Sequence, residues 1–513
     1  SSYWCNLSTQ HPGSGGGSSM LPRLGLRARS LGQVGCRCLS FYPAELVDVP
    51  PNSGAVVGKV LEHAVDLRRS RPGDVISIPY EVTVGQGLRD FWQAAFSTHD
   101  RINTSTPFAR SLGLQDQILP FHLMLFLASS MSHVEAAMTQ VAYRNAKYLW
   151  PGFAGDTFTK TFEIKRIRNT SHKERSTYDF TCRILNQRGK VCMVCDRATM
   201  FPFFAPPSPS EAPPPEQPLE TEDRLRNHVV KQSEKLVELG GQTLRSFSGG
   251  QLIIHTPARP ISETQSMELS SLARLTHSRH FDTVKHGKDG LTVPAGLILA
   301  LATSLSARDL HEVLHEELMY ANFVNPFRPG DAMTSLTYIH RVEQHPNGVL
   351  EKLRIRTIGV KDVLTEELAG KPLPLALFLD EGLRTKGVEL ICRESCPELS
   401  GKIVVLAERE VIRQVNQTPD CCVSSYVWWS VLKRGKATQQ RQSDSIEVNG
   451  YVCGYPSAVS RMRLLSLSTF RVFFVFSFFV HLRGHLSSKE GIALCIVCIL
   501  PHDIVPSPCL ALR

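Results

Sequence analysis

Ile118-Leu-Pro-Phe-His-Leu-Met-Leu-Phe-Leu-Ala-Ser-Ser-Met-Ser132 returns later in the chain as Thr292-Val-Pro-Ala-Gly-Leu-Ile-Leu-Ala-Leu-Ala-Thr-Ser-Leu-Ser306. Pro120 aligns with Pro294, Leu123 with Leu297, Leu125 with Leu299, and Leu127-Ala128 with Leu301-Ala302. Upstream, Thr98-His99-Asp100-Arg101 pairs with Thr276-His277-Ser278-Arg279. Downstream, Pro151-Gly-Phe-Ala-Gly-Asp156 pairs with Pro326-Phe-Arg-Pro-Gly-Asp331, and Ile164 and Arg166 with Ile339 and Arg341. Matched blocks in one order, at nearly constant spacing, mean a tandem duplication of one domain. The period is too long for a short-repeat solenoid.

Each copy has a legible order. A proline suited to a first helical turn opens the apolar stretch. That stretch carries almost no polar stripe, so its helix should be buried nearly all round. Alternating β-branched and aromatic runs follow: Thr157–Ile164, Ser176–Ile184 and Lys190–Cys195 in the first copy, Met333–Ile339 and Val349–Thr357 in the second. Period-two alternation at this spacing predicts an antiparallel meander. The fold class is therefore α+β, a curved antiparallel sheet wrapped around a central buried helix, made twice.

The first copy spans 41–204. Ala205-Pro-Pro-Ser-Pro-Ser-Glu-Ala-Pro-Pro-Pro-Glu-Gln-Pro218 lies in a stiff extended linker at 205–222. The second copy spans 223–395, and the match stops at a C-terminal extension, 396–513. Within that extension the uninterrupted apolar run Val472–Val480 is about half of the ~20 residues a membrane helix needs, so no membrane association is expected.

Apolar residues make up 42% of the 513 and charged residues 20%, an ordinary globular balance. The net charge of +9 is spread without a basic stripe interleaved with aromatics, which argues against nucleic acid. No metal is expected: Cys192-Met-Val-Cys195 lacks a second pair or a histidine set, and Cys421-Cys422 and Cys495-Ile-Val-Cys498 fare no better. Asn-x-Ser/Thr matches at Asn6, Asn103, Asn169 and Asn416 carry weight only in a secreted protein. The amino end points elsewhere. No acidic residue precedes Glu45, and Arg23, Arg27, Arg29 and Arg37 lie among Ser, Leu and Ala. This is the pattern of a mitochondrial transit peptide within 1–40, with initiation at Met20 and residues 1–19 upstream of it. The expected location is the mitochondrial matrix.

The repeated helix opening, the Gly-Asp turn before a long strand and His280-Phe-Asp282 together resemble the MaoC-like branch of the hot-dog superfamily. That branch includes (R)-specific enoyl-CoA hydratases, mitochondrial 3-hydroxyacyl-thioester dehydratases and mesaconyl-CoA hydratase-like proteins. The resemblance covers about 75–395 and implies a double hot-dog, its two sheets edge to edge. It also implies a hydro-lyase interconverting 3-hydroxyacyl and 2-enoyl thioesters of coenzyme A or acyl carrier protein in fatty-acid metabolism. No cofactor is implied, and a homodimer is compatible with it.

Such chemistry needs a group to move protons and backbone N–H donors where negative charge develops on the thioester oxygen. The resemblance puts the histidine's role on His280 of the second copy, and Gly296 and Ala295 at the oxyanion end of the helix; Asp282, whose place in the family is not that of the catalytic acid, is the expected substitute carboxylate and second catalytic residue, turned inward by the local backbone. His280 falls where the family has its catalytic histidine, Leu275 where the family has a catalytic aspartate, and Ala295 where it has a pre-glycine histidine. In the first copy Ile102 and His122 stand at the places of His280 and Gly296, which makes that copy the acyl-tunnel half. His99, Asp100 and His122 of the first copy form an alternative acid–base set, and His277 is a further candidate. Two other functions stay open: a hot-dog acyl-thioesterase, and an inactive acyl-thioester binding or scaffold protein. Asp156 and Asp331 read as turn residues.

Overall fold

The computed structural model describes residues 67–78, 80–131, 136–171, 174–203, 223–238 and 246–415, and the backbone of three strands between 448 and 477. The transit-peptide stretch, the proline-rich linker and the cysteine pairs at 421–422 and 495–498 lie outside the described residues.

In the first copy β1 (Val75–Ser77), β2 (Val82–Thr83), α1 (Gln86–Phe96), α2 (Arg101–Thr104) and α3 (Thr106–Ser111) lead to the central helix α4 (Phe121–Ser129). The meander follows as β3 (Thr139–Tyr148), β4 (Thr157–Asn169), β5 (Ser176–Asn186) and β6 (Val191–Phe201). After α5 (Arg224–Gln232) and α6 (Lys235–Glu238), the second copy begins with β7 (Leu252–Pro260), α7 (Glu263–Leu272), α8 (Thr283–His286) and its central helix α9 (Ala295–Leu310). It continues through β8 (Val313–Phe323), β9 (Ala332–Gln344), β10 (Leu350–Lys361), α10 (Thr365–Leu368), α11 (Asp380–Lys386), α12 (Val388–Ser395) and β11 (Ile403–Gln414).

The strand order β1-β4-β5-β6-β3-β8-β11-β10-β9-β7 reads as a near palindrome about its middle. There β3 pairs antiparallel with β8, from Ala142 opposite Asn322 to Lys147 opposite Glu317. Two curved sheets are joined edge to edge, each around its own helix: an α+β double hot-dog. Eight of the nine residues of α4 and eleven of the sixteen of α9 are buried, so neither helix offers a wet stripe. Each Leu, Ile, Met or Phe so enclosed contributes roughly 1.5–3 kcal/mol. The Gly-Asp turns match: Gly155 and Gly330 take φ of 98° and 94°, where a side chain would be strained. Asp156 accepts the Phe153 amide at 2.8 Å and Asp331 the Arg328 amide at 2.9 Å, which is turn chemistry.

The second copy does not stop at 395. β11 takes the place in its sheet that β6 takes in the first. In the first copy β5 reaches β6 through a tight turn closed by the Asn186 amide on the Lys190 carbonyl. In the second, α10 to α12 are inserted between β10 and β11, and the insertion hides the last strand from a repeat match.

A second compact unit comprises 236–246, 344–351 and 414–513. It contains a separate antiparallel sheet of β12 (Val448–Gly450), β13 (Ser460–Leu467) and β14 (Arg471–Ser477). The apolar run at 472–480 thus begins as a strand. No described helix is long and apolar enough to cross a membrane.

Candidate active site

The amino end of α9 opens onto a cavity of ≈ 520 Å³ built from both copies. The second copy supplies Leu275, His277, Arg279, His280 and Thr292–Ala295; the first supplies Ser129, Val141, Arg197 and Thr199. No side chain caps α9. The Leu297 and Ile298 amides bond the Pro294 carbonyl, while the Ala295 and Gly296 amides have no partner within the helix. Both belong to the positive end of the helix dipole, and Ala295 lines the cavity.

His280 ends a 3₁₀ turn, Ser278–His280. Its Nδ1 lies 2.7 Å from the Thr292 carbonyl, two residues before Pro294. A carbonyl can only accept, so Nδ1 carries the hydrogen and Nε2 keeps a lone pair. Burial pushes the ring's pKa down to about 4, against the opposing effect of the Thr292 bond. The imidazole is therefore neutral near pH 7, a proton acceptor at the helix start.

The other candidates separate. His277 lines the same cavity but uses both nitrogens: Nε2–H donates to the Ala137 carbonyl at 2.7 Å and Nδ1 accepts the Arg279 amide at 3.2 Å. It pins the loop to the first copy. Asp282 does not line the cavity; its Oδ1 accepts the Lys285 amide at 2.9 Å as the N-cap of α8. Asp282→Ala is expected to leave turnover within about twofold and to cost about 1 kcal/mol of stability, as lost caps do. Steady-state rates beside urea melts check both. Gly296 faces the other helix: a Cβ there would meet Phe126 Cδ2 at 2.7 Å, Ser129 Oγ at 3.0 Å and Tyr143 Oη at 3.2 Å. What demands a glycine is the close approach of α9 to α4. Leu275 lines the cavity, and among the described residues no lining side chain carries a carboxylate.

Asp100 and His122 meet at a second cavity of ≈ 70 Å³ at the amino end of α4, with Ile102, Ser306, Glu316 and Arg409. His99 is exposed and lines neither cavity. His122 Nε2 lies 3.3 Å from Glu316, and Arg409 bonds the same carboxylate at 3.0 Å. Burial alone would raise Glu316; the His122 and Arg409 charges hold it at about 2. Asp100 accepts the Val313 amide at 2.8 Å, yet burial, then Glu312 and Glu316, push its pKa up to about 7.

The sign of the Asp100 effect is definite. Well below the ordinary value of 3.8 its carboxyl is protonated folded or unfolded. As pH rises toward 7 the unfolded chain ionises and the buried group does not, so stability is lost. Asp100→Asn should therefore gain on the natural chain by on the order of 2–4 kcal/mol between pH 4 and 8. Urea unfolding at both pH values checks this; a constant difference would refute the buried-acid assignment.

Sequence reasoning missed the first copy's share of the large cavity, Ser129 and Arg197 above all. Arg197 shares one face of β6 with Cys195 and Thr199, and a cation on the inner face of a strand is the signal that would have marked it.

Fold and site together define a double hot-dog with a cavity at a central helix start. The chain resembles MaoC-like double hot-dog hydratases and dehydratases. It is 23% identical over 327 residues to the mesaconyl-CoA hydratase of Cereibacter sphaeroides, an overlap of 60% of this chain and 94% of that one. It is 25% identical over 296 residues to the beta-methylmalyl-CoA dehydratase of Chloroflexus aurantiacus, 55% of this chain and 83% of that one. Two solved structures share the fold. A protein described as a MaoC domain dehydratase from Chloroflexus aurantiacus aligns with a TM-score of 0.54 at 18% identity, covering 69% of this chain and 99% of that one. A Mycobacterium tuberculosis protein with a double hot-dog fold aligns with a TM-score of 0.50 at 16% identity, covering 67% and 96%. No model of a known protein family matches the chain.

Proposed function

We propose that the chain is a hydro-lyase that adds water across the double bond of a 2-enoyl thioester, or removes it from the 3-hydroxy form, in the large cavity. The observation that carries this is the neutral His280 ring, tied through Nδ1 to Thr292 at the start of α9. The similarity to a CoA-thioester hydratase and a dehydratase supports it. In the hydration direction Nε2 takes a proton from water as its oxygen bonds to C3. The π electrons move toward the thioester oxygen, facing the free amides of Ala295 and Gly296, where an oxyanion is best stabilised. The imidazolium then returns that proton to C2. With one titratable group serving both steps, water and proton arrive on the same face of the double bond.

The carrier is coenzyme A or acyl carrier protein, and the Arg-bearing, acid-free stretch at 20–40 supports a mitochondrial location. A second reading, acyl-thioester binding without turnover, is favoured by one observation: Leu275 lines the cavity where a carboxylate would assist. A thioesterase reading loses ground for the same reason, since it needs that carboxylate to direct water. Incubation with crotonyl-CoA and fumaryl-CoA, following enoyl absorbance and free thiol together, separates the three. Loss of absorbance without thiol release is the expected result. Thiol release alone, or binding with neither signal, would refute it.

A further inference from the structure

Strand β8 carries two side chains that take no part in the large cavity. His315 and Glu317 are two residues apart, so they project from one face of the strand. Helix α5 packs against β8 there: Arg226 reaches Glu317 at 3.3 Å, while the Leu225 amide bonds the Leu149 carbonyl of the first copy at 3.0 Å. Asp223, the residue that caps α5, is thereby brought to His315, its Oδ2 lying 3.0 Å from the ring's Nε2. Donor atoms of Asp223, His315 and Glu317 all stand within 4.8 Å of one another.

The short contact between His315 and Asp223 is not a hydrogen bond. Both atoms are buried, and neither has a hydrogen-bond partner among the described residues. At 3.0 Å the failure is one of direction, the axis of Nε2 passing beside the oxygen rather than at it. His315 is only 4% exposed, so bulk water does not answer it. A buried polar atom left unsatisfied is costly, and two that face each other point to a shared third party. Donors bound to one divalent cation at about 2.1 Å stand about 3.0–3.4 Å apart, for right-angled and tetrahedral placements. The His315–Asp223 separation falls in that interval. Asp223 is also oriented for the role, because its Oδ1 accepts the Arg226 amide at 2.8 Å and leaves Oδ2 to the ring.

We propose that His315, Asp223 and Glu317 hold a zinc ion, with water as its fourth ligand. One imidazole nitrogen and two carboxylate oxygens, with no thiol among them, suit that ion in a tetrahedral set. Lys147 and Arg226, both half-exposed, flank Glu317 at 3.9 and 3.3 Å. Such screened surface contacts are weak, and the carboxylate exchanges them for the ion. Glu317 stands opposite Lys147 in the β3–β8 ladder, and α5 is the first described element after the proline-rich linker. Zinc here clamps the chain's entry into the second copy onto the joint between the two sheets. The role is structural and does not depend on the thioester reading of the large cavity.

Calorimetric titration of the full chain, stripped with a chelator, with zinc chloride is expected to show a site of roughly micromolar affinity or tighter that His315→Gln removes. Asp223→Asn keeps a helix cap but gives up the carboxylate charge, and should weaken the same site at least about tenfold. Cobalt chloride identifies the donors. Nitrogen and oxygen ligands give weak visible bands, which both variants should diminish, whereas thiolates elsewhere in the chain give an intense near-ultraviolet band that neither should change. Saturating zinc should raise the thermal unfolding midpoint of the natural chain by more than that of Asp223→Asn. If His315→Gln does not fold, the Asp223→Asn comparison decides. Zinc affinity unchanged by Asp223→Asn, no binding up to about millimolar zinc, or a cobalt spectrum with the thiolate band alone overturns the proposal.

Discussion

His280→Ala is expected to lower the hydration rate by about 10²- to 10⁴-fold, the range a positioned acid–base group contributes. The loss should fall on kcat with little change in KM, because the ring acts on water and proton rather than on the carrier. The bond to Thr292 also positions the loop, so His280→Gln serves as a companion: it keeps a side-chain donor for the carbonyl but cannot shuttle a proton. Both variants should be equally inactive if the lone pair on Nε2 is what matters. Activity restored by glutamine would reduce the histidine to a loop anchor. The pH profile gives a second check. With the ring held at about 4 by burial, the rate should be level through neutrality and fall only as pH drops toward that value. A fall centred near the ordinary histidine value of about 6.5 would show that the ring is freely hydrated.

Gly296→Ala is expected to destabilise the protein by about 1–3 kcal/mol, the usual effect of forcing atoms into a filled core. The added methyl would stand 2.7 Å from Phe126 Cδ2, inside any real contact, with Ser129 Oγ and Tyr143 Oη close behind. Relief requires α4 and α9 to move apart. The same movement would shift Ser129 against Arg197, so activity should fall with stability. Phe126→Leu removes part of the obstruction. In a double-mutant cycle read by urea unfolding, the pair should cost less than the sum of the single changes. Strict additivity would show that the methyl is accommodated elsewhere.

The duplicated fold was legible because its signals are local: a proline, a greasy helix and alternating strands, stated twice. The end of the second copy was not, since α10 to α12 separate β10 from β11 and nothing in Ile403–Gln414 echoes β6 closely enough to reveal kinship. The same divide runs through the site. His280 and Ala295 are near each other in sequence, and one loop brings them to one helix start. Ser129, Val141 and Arg197 reach the same cavity from the other copy, through strand pairing across long stretches of chain, which no local pattern records. Asp282 was misplaced for a local reason. Its spacing to the Lys285 amide fits a helix cap, and capping competed successfully with the inward role expected of a substitute carboxylate.

The ladder between β3 and β8 has one more consequence. If the halves were separate, identical polypeptides, any exchange of a side chain would appear in both clefts at once, opening or shutting them together. Tethering the halves in a single gene product frees each from the other's fate. Here one cleft holds an ion pair and has closed to the size of a few water molecules, while its twin stays hollow, with Arg197 on its wall. Specialisation of this kind is open only to a dimer whose partners can no longer part.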